Sequence, residues 1–402
     1  MILPSILGAL AWLSLALTLW QWLAARRFPL HQRSAGLRIG SSQSGTQSHA
    51  PNRSSPLQPA VTLLKPLKGC EANTEECLRS WLAQDYSGDV QTLLAVASAD
   101  DPACAVVKKL LAEFPGREAQ LVVCPERLGA NAKVSQLAQL EPRVKHEIII
   151  VSDADVRVPP ELLANVVAPL GVEKVGLVSC FYRLANPTTL AMRWEAIAIN
   201  ADFWSQVLQS ASFRKLDFAL GAVMATRRRP LAEIGGFRAL ADCLADDYQL
   251  GHRIARRGYR IELCPVVVDC WSEPMRWRDV WRHQLRWART IRVCQPLPYF
   301  FSILSNPTLW PLVWLAARPS LEVFACAQVF LALRILAALF LQKWLTRSFA
   351  HHGSWWLVPV KDLLQAVLWL CAFAGNHIEW RGEPYRLRRD GTLEKSGPPS
   401  MS

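Results

Sequence analysis

The chain reads as an α/β protein: a mostly parallel central sheet with helices on both faces, flanked by N-terminal and C-terminal transmembrane helices. Three observations predict this. From residue 60 to residue 180, short β-branched runs alternate with segments of helical spacing, the pattern of parallel strands joined by crossover helices. Ile148, Ile149, Ile150 and Val151 form an apolar run without alternation, which suits a strand buried on both faces. Residues 2–25 carry no charged side chain, over a length that crosses a bilayer as a helix of roughly 20 residues.

In chain order, the apolar start is followed at once by Arg26 and Arg27, with no small-residue cleavage pattern. That predicts an uncleaved signal anchor over residues 1–27, with the following chain on the cytoplasmic side of the inner membrane. Residues 28–59 are rich in Ser, Gly, Gln, Asn and Pro and predict a flexible linker. The domain at 60–295 opens with a strand at 60–66. A helix at 75–84 sets Leu78, Trp81 and Leu82 on one face. A strand at 90–97, a helix at 103–114 and a strand at 120–124 precede the central strand at Ile148. A helix then starts near Pro160, where proline suits the first turn, and a strand follows at 175–180. Beyond it come a long helix at 188–211, either core or interfacial, and a strand at 218–226. A Gly235-Gly236-Phe237 turn, a helix at 246–257, one or two strands at 260–270 and a basic helix at 276–292 complete the domain.

Three further apolar segments lie within residues 296–380. The segment at 297–317 is broken by Pro298, Pro307 and Pro311, which suits an interfacial or re-entrant position. Those at 321–341 and 355–375 are read as spans, and their even number returns a basic tail, 381–402, to the cytoplasmic side. Glu322, Arg334, Lys361 and Asp362 fall inside these segments and are expected to face protein rather than lipid.

The formal charge of +12 fits an anionic leaflet, and no nucleic-acid motif accompanies it. Seventeen Trp residues suit membrane–water interfaces. Eleven Cys residues show neither CxxC nor paired spacing, which predicts reduced, packed thiols.

Four constellations carry chemistry. Asp153 and Asp155 follow the buried strand, at the carboxyl end where open α/β sheets bind ligands. Two carboxylates one residue apart suit Mg²⁺ or Mn²⁺ bridging to substrate phosphates, although a DxD by itself is more often a solvated turn. Asp246 and Asp247 open a helix; capping accounts for one of them and leaves the other available as a general base. Lys133 ends the loop GANAK, where it meets a diphosphate or simply solvent. Arg286, Arg289 and Arg292 share a helical face beside Trp287, suited to a leaving diphosphate, to lipid head groups, or to nothing beyond a juxtamembrane basic helix. Together these features describe transfer of a glycosyl group from a nucleotide sugar to a lipid, driven above all by electrostatic stabilisation of the leaving group.

The motifs LLKPLKG, SADDPA, GANAK, SDADVRVPP, LGAVMATRR, GGF, LADDYQLG and RHQLRWARTIR, in that order from residue 63 to residue 292, resemble the ceramide glucosyltransferase family of membrane glycosyltransferases. Within that family they are most similar to the bacterial hopanoid-biosynthesis members. The resemblance implies a GT-A nucleotide-sugar-binding domain and an inverting transfer from a UDP-sugar to a lipid hydroxyl at the cytoplasmic face. It implies Asp155 with Asp153 at the metal and sugar diphosphate, Asp247 as base beside Asp246, and Lys65 and Lys133 near the nucleotide. It further implies Arg286 and Trp287, with His283, around diphosphate and acceptor. Many members carry Asp where this chain has Ser98, so recognition of the nucleotide base passes here to Asp100 or Asp101. His283 stands where Gln or Arg usually precedes the RW pair. A processive polysaccharide synthase is disfavoured by the small number of apolar segments. A non-catalytic lipid-binding protein is disfavoured by the intact Asp153, Asp155, Asp247, Arg286 and Trp287.

Overall fold

The computed structural model describes residues 2–32, 58–380 and 383–395, so most of the expected linker, Arg381 and the last residues of the tail lie outside the described residues. Eight strands make one sheet: β1 (Val61–Pro66), β2 (Val90–Val96), β3 (Ala119–Val123), β4 (Ile148–Ser152), β5 (Val156–Arg157), β6 (Val175–Leu184), β7 (Val223–Arg227) and β8 (Arg260–Cys270). Their spatial order is β3-β2-β1-β4-β7-β6-β8-β5. The half from β3 to β4 is parallel, joined by helices Thr74–Leu82, Ala103–Glu113 and Ala132–Leu140. β7 runs antiparallel to both β4 and β6, β6 and β8 are again parallel, and β5 closes the edge antiparallel to β8. The non-alternating run in β4 is explained by its two covered faces. Ile149 and Val151 pack under Val134, Leu137 and Leu250 on one face, while Ile148 and Ile150 pack under Leu162, Leu163 and Val166 on the other.

Three elements differ from the sequence reading. The strand expected at 218–226 is ordered only from Val223, because the backbone at Phe218 and Ala219 passes against Gly251, where a Cβ would come within 2.3 Å of the Ala219 nitrogen. The long helix at 188–211 is helix Leu190–Ile197, a π-helical turn Ala198–Phe203 and helix Trp204–Ala211. In that turn the Asn200 amide pairs with both backbone groups of Leu184 (2.9 and 3.1 Å), which caps the end of β6. The tail is folded as far as it is described: β9 (His377–Trp380), β10 (Glu383–Leu387) and β11 (Leu393–Lys395) form a second, antiparallel sheet. Its charges hid this, because Ile378, Tyr385, Leu387 and Leu393 bury one face while the arginines point out.

Among the described residues, two helices are long and apolar enough to cross a membrane, Ile2–Arg27 and Leu321–Thr346, each of 26 residues. The Pro-broken segment is a pair of helices, Pro296–Ser305 and Leu309–Ala317, bent by 57° at the break. The segment expected as a last span forms helix Leu357–Phe373, whose 17 residues rise about 26 Å, short of a hydrocarbon core of roughly 30 Å. Large apolar side chains, among them Leu3, Trp12, Leu321, Phe324, Leu336 and Leu370, stand exposed on these helices. Helix Ile2–Arg27 is fastened to the sheet domain by polar contacts: Gln21 Nε2 donates to Gln209 Oε1 (3.2 Å), and Trp20 Nε1 donates to Ser212 Oγ (3.1 Å).

Three of the four charges inside the apolar segments, Arg334, Lys361 and Asp362, meet one another, whereas Glu322, in the first turn of helix Leu321–Thr346, is exposed instead of facing protein. Arg334 donates to Asp362 (2.8 and 2.9 Å) and to Asp202 (2.9 Å), and Lys361 contacts both carboxylates. Thr308 Oγ1 donates to Asp362 Oδ2 (2.7 Å), and Asp202, Arg334, Lys361 and Asp362 are all buried. Deleting one member of such a cluster strands the others. Arg334→Leu is therefore expected to lower stability by about 3–5 kcal/mol, seen as an earlier thermal transition of the detergent-solubilised protein. Arg318→Leu, outside the cluster, should not shift it.

Candidate functional site

The chain leaves β4 at Ser152 and turns at Asp153, Ala154 and Asp155 before entering β5 at the far edge of the sheet. Ala154 packs into the cluster of Leu67 and Leu94, so the two aspartates project away from that core. Beneath the turn lies Lys65, fully buried, donating to Ser152 Oγ (3.3 Å) and to the carbonyl of Asp153, with its ammonium 5.0 Å from the Trp81 ring. Burial pushes its pKa down to about 8. Lys65 therefore braces the turn from below rather than lining the crevice expected to receive a nucleotide.

Lys133 joins the acidic groups across the crevice. Its ammonium lies 2.7 Å from Asp153 Oδ1 and 3.2 Å from Asp246 Oδ2, and its side chain is 11% exposed. Burial alone would discharge it, but the carboxylates of Asp153 and Asp246 carry its pKa above the ordinary lysine value and keep it cationic. Asn131 sets this geometry: its side-chain oxygen caps helix Ala132–Leu140 at Val134 N (3.2 Å), and its amide donates to Cys243 O (2.9 Å) and Asp246 Oδ1 (3.3 Å). Asp246 and Asp247 open helix Asp246–Arg256. Asp247 presses against Gly221, where a Cβ would lie 2.7 Å from Asp247 Oδ2, so glycine is required at that approach. Burial first, and the negative charge of Asp246 second, push the Asp247 carboxyl up to about 6. Asp155 reaches about 6 through burial and the repulsion of Asp153.

The two carboxylates of the β4 turn fit a divalent cation. Asp155 is drawn out of water and repelled by its neighbour, a charge arrangement that a cation would relieve. Among the described residues no cluster of three or more His, Cys, Asp or Glu could hold a metal, so an ion here would complete its shell with substrate oxygens, the usual manner of Mg²⁺.

A neighbouring open pocket of about 340 Å³ is lined by Lys68, Ser98, Asp100, Asp101, Arg127 and Gln136, among others. Of the two acidic candidates, Asp101 is already engaged: its carboxylate accepts from Gly69 N (3.0 Å) and Ala103 N (2.9 Å). Asp100 is the one left facing the pocket. Arg127 escaped the sequence reading although it stands two residues before Gly129, the start of GANAK. It donates to Gly129 O (2.7 Å) and contacts Ala130 O and the Tyr385 hydroxyl (3.4 Å), which joins the pocket to the C-terminal sheet.

The basic face expected on helix Trp277–Cys294 is divided. Arg289 donates to His377 O, and Arg292 donates to Asn376 Oδ1 and Gly375 O, so both fasten the helix to the start of the C-terminal sheet. Arg286, half-buried, and Trp287 remain beside His283 in the preceding turns. Trp287 packs edge-on to Tyr182, with ring centroids 6.5 Å apart. The negative charges of Asp247, Glu195 and Asp153 all bear on the Tyr182 phenol, which, foremost through its burial, is held well above the usual tyrosine value. Tyr182 thus packs against the aromatic group on this helix and against Phe203.

A sheet of this order, with paired carboxylates after the central strand and a lysine counter-ion facing them, is a GT-A fold. The chain belongs to glycosyl transferase family 21, whose family model matches residues 11–393. It is 25% identical over 205 residues to ceramide glucosyltransferase 3 of Caenorhabditis elegans, covering 50% of this chain and 44% of the relative. It is 27% identical over 237 residues to the probable glycosyltransferase YdaM of Bacillus subtilis, covering 58% and 55%. The chain thus spans about half the length of these curated relatives. Among solved structures, the mannosyltransferase PcManGT of Pyrobaculum calidifontis, in complex with GDP-Man and Mn²⁺, aligns over 92% of this chain and 99% of its own. Its TM-score is 0.54 and its identity 22%, a likeness of fold.

The raised Asp155 predicts how cations act on stability. A carboxyl whose folded pKa lies above its ordinary value favours folding below that ordinary value and loses the contribution as pH rises through about 6. Mn²⁺ competes with the proton. It is therefore expected to raise the melting temperature more at pH 7.5 than at pH 5, and the Asp155→Asn variant should show no such rise.

Proposed function

We propose that this chain is an inverting glycosyltransferase that moves a hexose or N-acetylhexosamine from a UDP-sugar to a hydroxyl of a membrane lipid, a hopanoid polyol or a ceramide-like lipid. The observation that carries this reading is Lys133 placed between Asp153 and Asp246, with Asp247 next in line, so that one crevice holds a phosphate-neutralising side and a proton-accepting side. Asp155 and Asp153 would hold Mg²⁺ or Mn²⁺, which when bound neutralises the departing diphosphate. Lys133 turns from the carboxylates toward the diphosphate as it gathers charge, and Arg286 adds a second cation. Asp100, beside Lys68 in the neighbouring pocket, receives the nucleotide base. Asp247, raised to about 6 and held by Gly221, is a carboxylate at neutral pH yet basic enough to take the proton of the attacking hydroxyl.

The lipid reading is supported by the exposed apolar side chains on the helices beside the sheet domain. Arg26 and Arg27 at the end of the first helix support a cytoplasmic site at the inner membrane. The direct test supplies membranes with labelled UDP-glucose and UDP-N-acetylglucosamine and follows the label into extracted lipid by mass spectrometry. A glycosylated hopanoid or ceramide is expected. No lipid product from either donor, with an acceptor pool present, would sink the reading.

Two variants probe the base. Asp247→Asn should reduce kcat by about 10³-fold while UDP binding, measured by calorimetry, is retained. Gly221→Ala, which displaces the same carboxylate, should cost about 10²-fold in kcat with donor KM within about twofold of the wild type. Because Asp247 acts as a carboxylate, kcat/KM should fall about tenfold per unit as pH drops below about 6.

A further inference from the structure

Helix Leu357–Phe373 is apolar and 17 residues long, and its surface is divided. One face packs on protein. Leu364 and Leu368 share a cluster with Trp194 and Val280, Ala372 shares one with Ala288, and the Arg292 guanidinium lies 5.6 Å from the Phe373 ring. The other face is a stripe of Trp356, Val360, Leu363, Val367, Leu370 and Ala374, spaced four and three residues apart and all exposed. The charges of this helix, Lys361 and Asp362, turn inward to Asp202 and Arg334 and leave the stripe wholly apolar. A continuous face of that kind calls for an apolar cover.

Both ends of the helix are tied to the sheet domain. At its start, Leu357 and Val358 pack in one cluster with Phe181 and Trp204. The preceding helix, Leu321–Thr346, also ends on the domain. Arg183 donates to Thr346 O, and His31 Nε2 donates to Trp344 O (3.0 Å) while His31 N donates to Pro265 O of β8 (2.6 Å). At the other end, Arg292 donates to Asn376 Oδ1, and β9 begins at His377, in the sheet whose Leu393 N bonds Asp242 O (2.7 Å). A segment that crosses a bilayer delivers its ends to opposite sides; this one returns both to the same body.

The chain before it reaches the far side instead. Cys294 stands on the domain, its carbonyl accepting from the Tyr248 hydroxyl (2.9 Å). In the bent pair that follows, Trp314 packs against Gly8, where a Cβ would lie 3.0 Å from the indole. Gly8 is about 28 Å along its helix from Arg27, and Ala25, near that end, is buried with Phe181. The pair therefore runs to the end of the first helix that is remote from the sheet domain, and helix Leu321–Thr346 brings the chain back.

We propose that helix Leu357–Phe373 lies along the leaflet on the side of the sheet domain, with its stripe on lipid acyl chains. The bent pair Pro296–Ser305 and Leu309–Ala317 makes the crossing that the sequence had suggested for residues 355–375. Lipid is the cover because the Arg334–Asp362 contact (2.8 Å) sets this helix beside helix Leu321–Thr346, whose own exposed face carries Val329, Leu333 and Leu336. The helix is then a floor between the acyl chains and helix Trp277–Cys294. This goes beyond the transfer reading and does not depend on it.

The test uses the full chain in sealed right-side-out and inverted membrane vesicles, a membrane-impermeant maleimide, and mass spectrometry to assign each adduct. Cys70, exposed on the sheet domain, is the internal reference. His352→Cys, in the turn before the helix, should label from the same side as Cys70. Arg318→Cys, between the bent pair and the long helix, should label only from the opposite side. His352→Cys labelled from the side opposite Cys70 would make the helix a span, and Arg318→Cys labelled together with Cys70 would remove the crossing of the bent pair; either result overturns the proposal. The stripe is read separately with nitroxides at Val360→Cys, Leu363→Cys and Leu370→Cys, by accessibility to oxygen against a nickel chelate. All three should sit about 5–10 Å into the leaflet. Depths spread by about 15 Å, as along a spanning helix, or free access of the chelate to all three, would equally overturn it.

Discussion

Four charges that cannot reach water hold the membrane helices to the sheet domain. Asp202 comes from the π-helical turn, Arg334 from the long apolar helix, and Lys361 with Asp362 from the last one, and each is within contact of an opposite charge. Apolar helices packed against one another would tolerate sliding by a turn, because one leucine surface resembles the next. Ionic contacts with hydrogen-bond geometry do not tolerate it, since a displaced partner leaves a buried charge unmatched. The cluster therefore selects one register between bundle and domain. Asp202 lies one residue before Phe203, which packs against Tyr182 and Trp287, so the same constraint fixes those rings relative to the apolar helices.

A second set of contacts works at the other side of the crevice. The loops at 127–131 and 240–246 are laced together: Asn131 N donates to Ala241 O (2.7 Å), and Ala130 N donates to Asp242 Oδ1 (2.9 Å). Gly129 allows the approach, with only 2.5 Å between a hypothetical Cβ and Ala241 O. β11 adds Leu393 N to Asp242 O (2.7 Å), and Leu244 N donates to Gly391 O (3.3 Å). Lys133 and Asp246 stand at the ends of these two loops, so their distance is set by backbone contacts remote from the charges themselves.

Much of this was legible in the sequence. The α/β alternation was readable because period and composition report burial directly, whereas the order β3-β2-β1-β4 was not, since alternation alone is compatible with several orders. The acidic pairs and Lys133 were legible as motifs, and the structure brings them together. Other roles were hidden for identifiable reasons. Lys65 reads as a binding lysine, but its position in the fully buried β1 turns the side chain under the sheet end. Arg289 and Arg292 repeat at helical spacing like a ligand-binding face, yet their partners are carbonyls at residues 375–377, about 85 positions away, a contact no local pattern reports. Glu195 could have been noticed as an acid in an apolar helix; its pairing with His283, 88 residues on, could not. The C-terminal sheet was masked by arginines that dominate its composition while its buried face holds only four side chains.

The dependence of the crevice on that C-terminal sheet has a consequence for how the protein is made. Strand β11 follows both long apolar helices in the chain, yet it supplies a bond to the loop that carries Asp246. The sheet domain can collapse around β4 while translation continues, but the loops at 127–131 and 240–246 lack their clamp until the final strands dock. A chain still being inserted into the membrane would thus be folded in its core and unfinished at its reactive groups. Maturation is in this sense timed by chain order, because the loop that carries Asp246 gains these bonds only after residues 391–393 have been made.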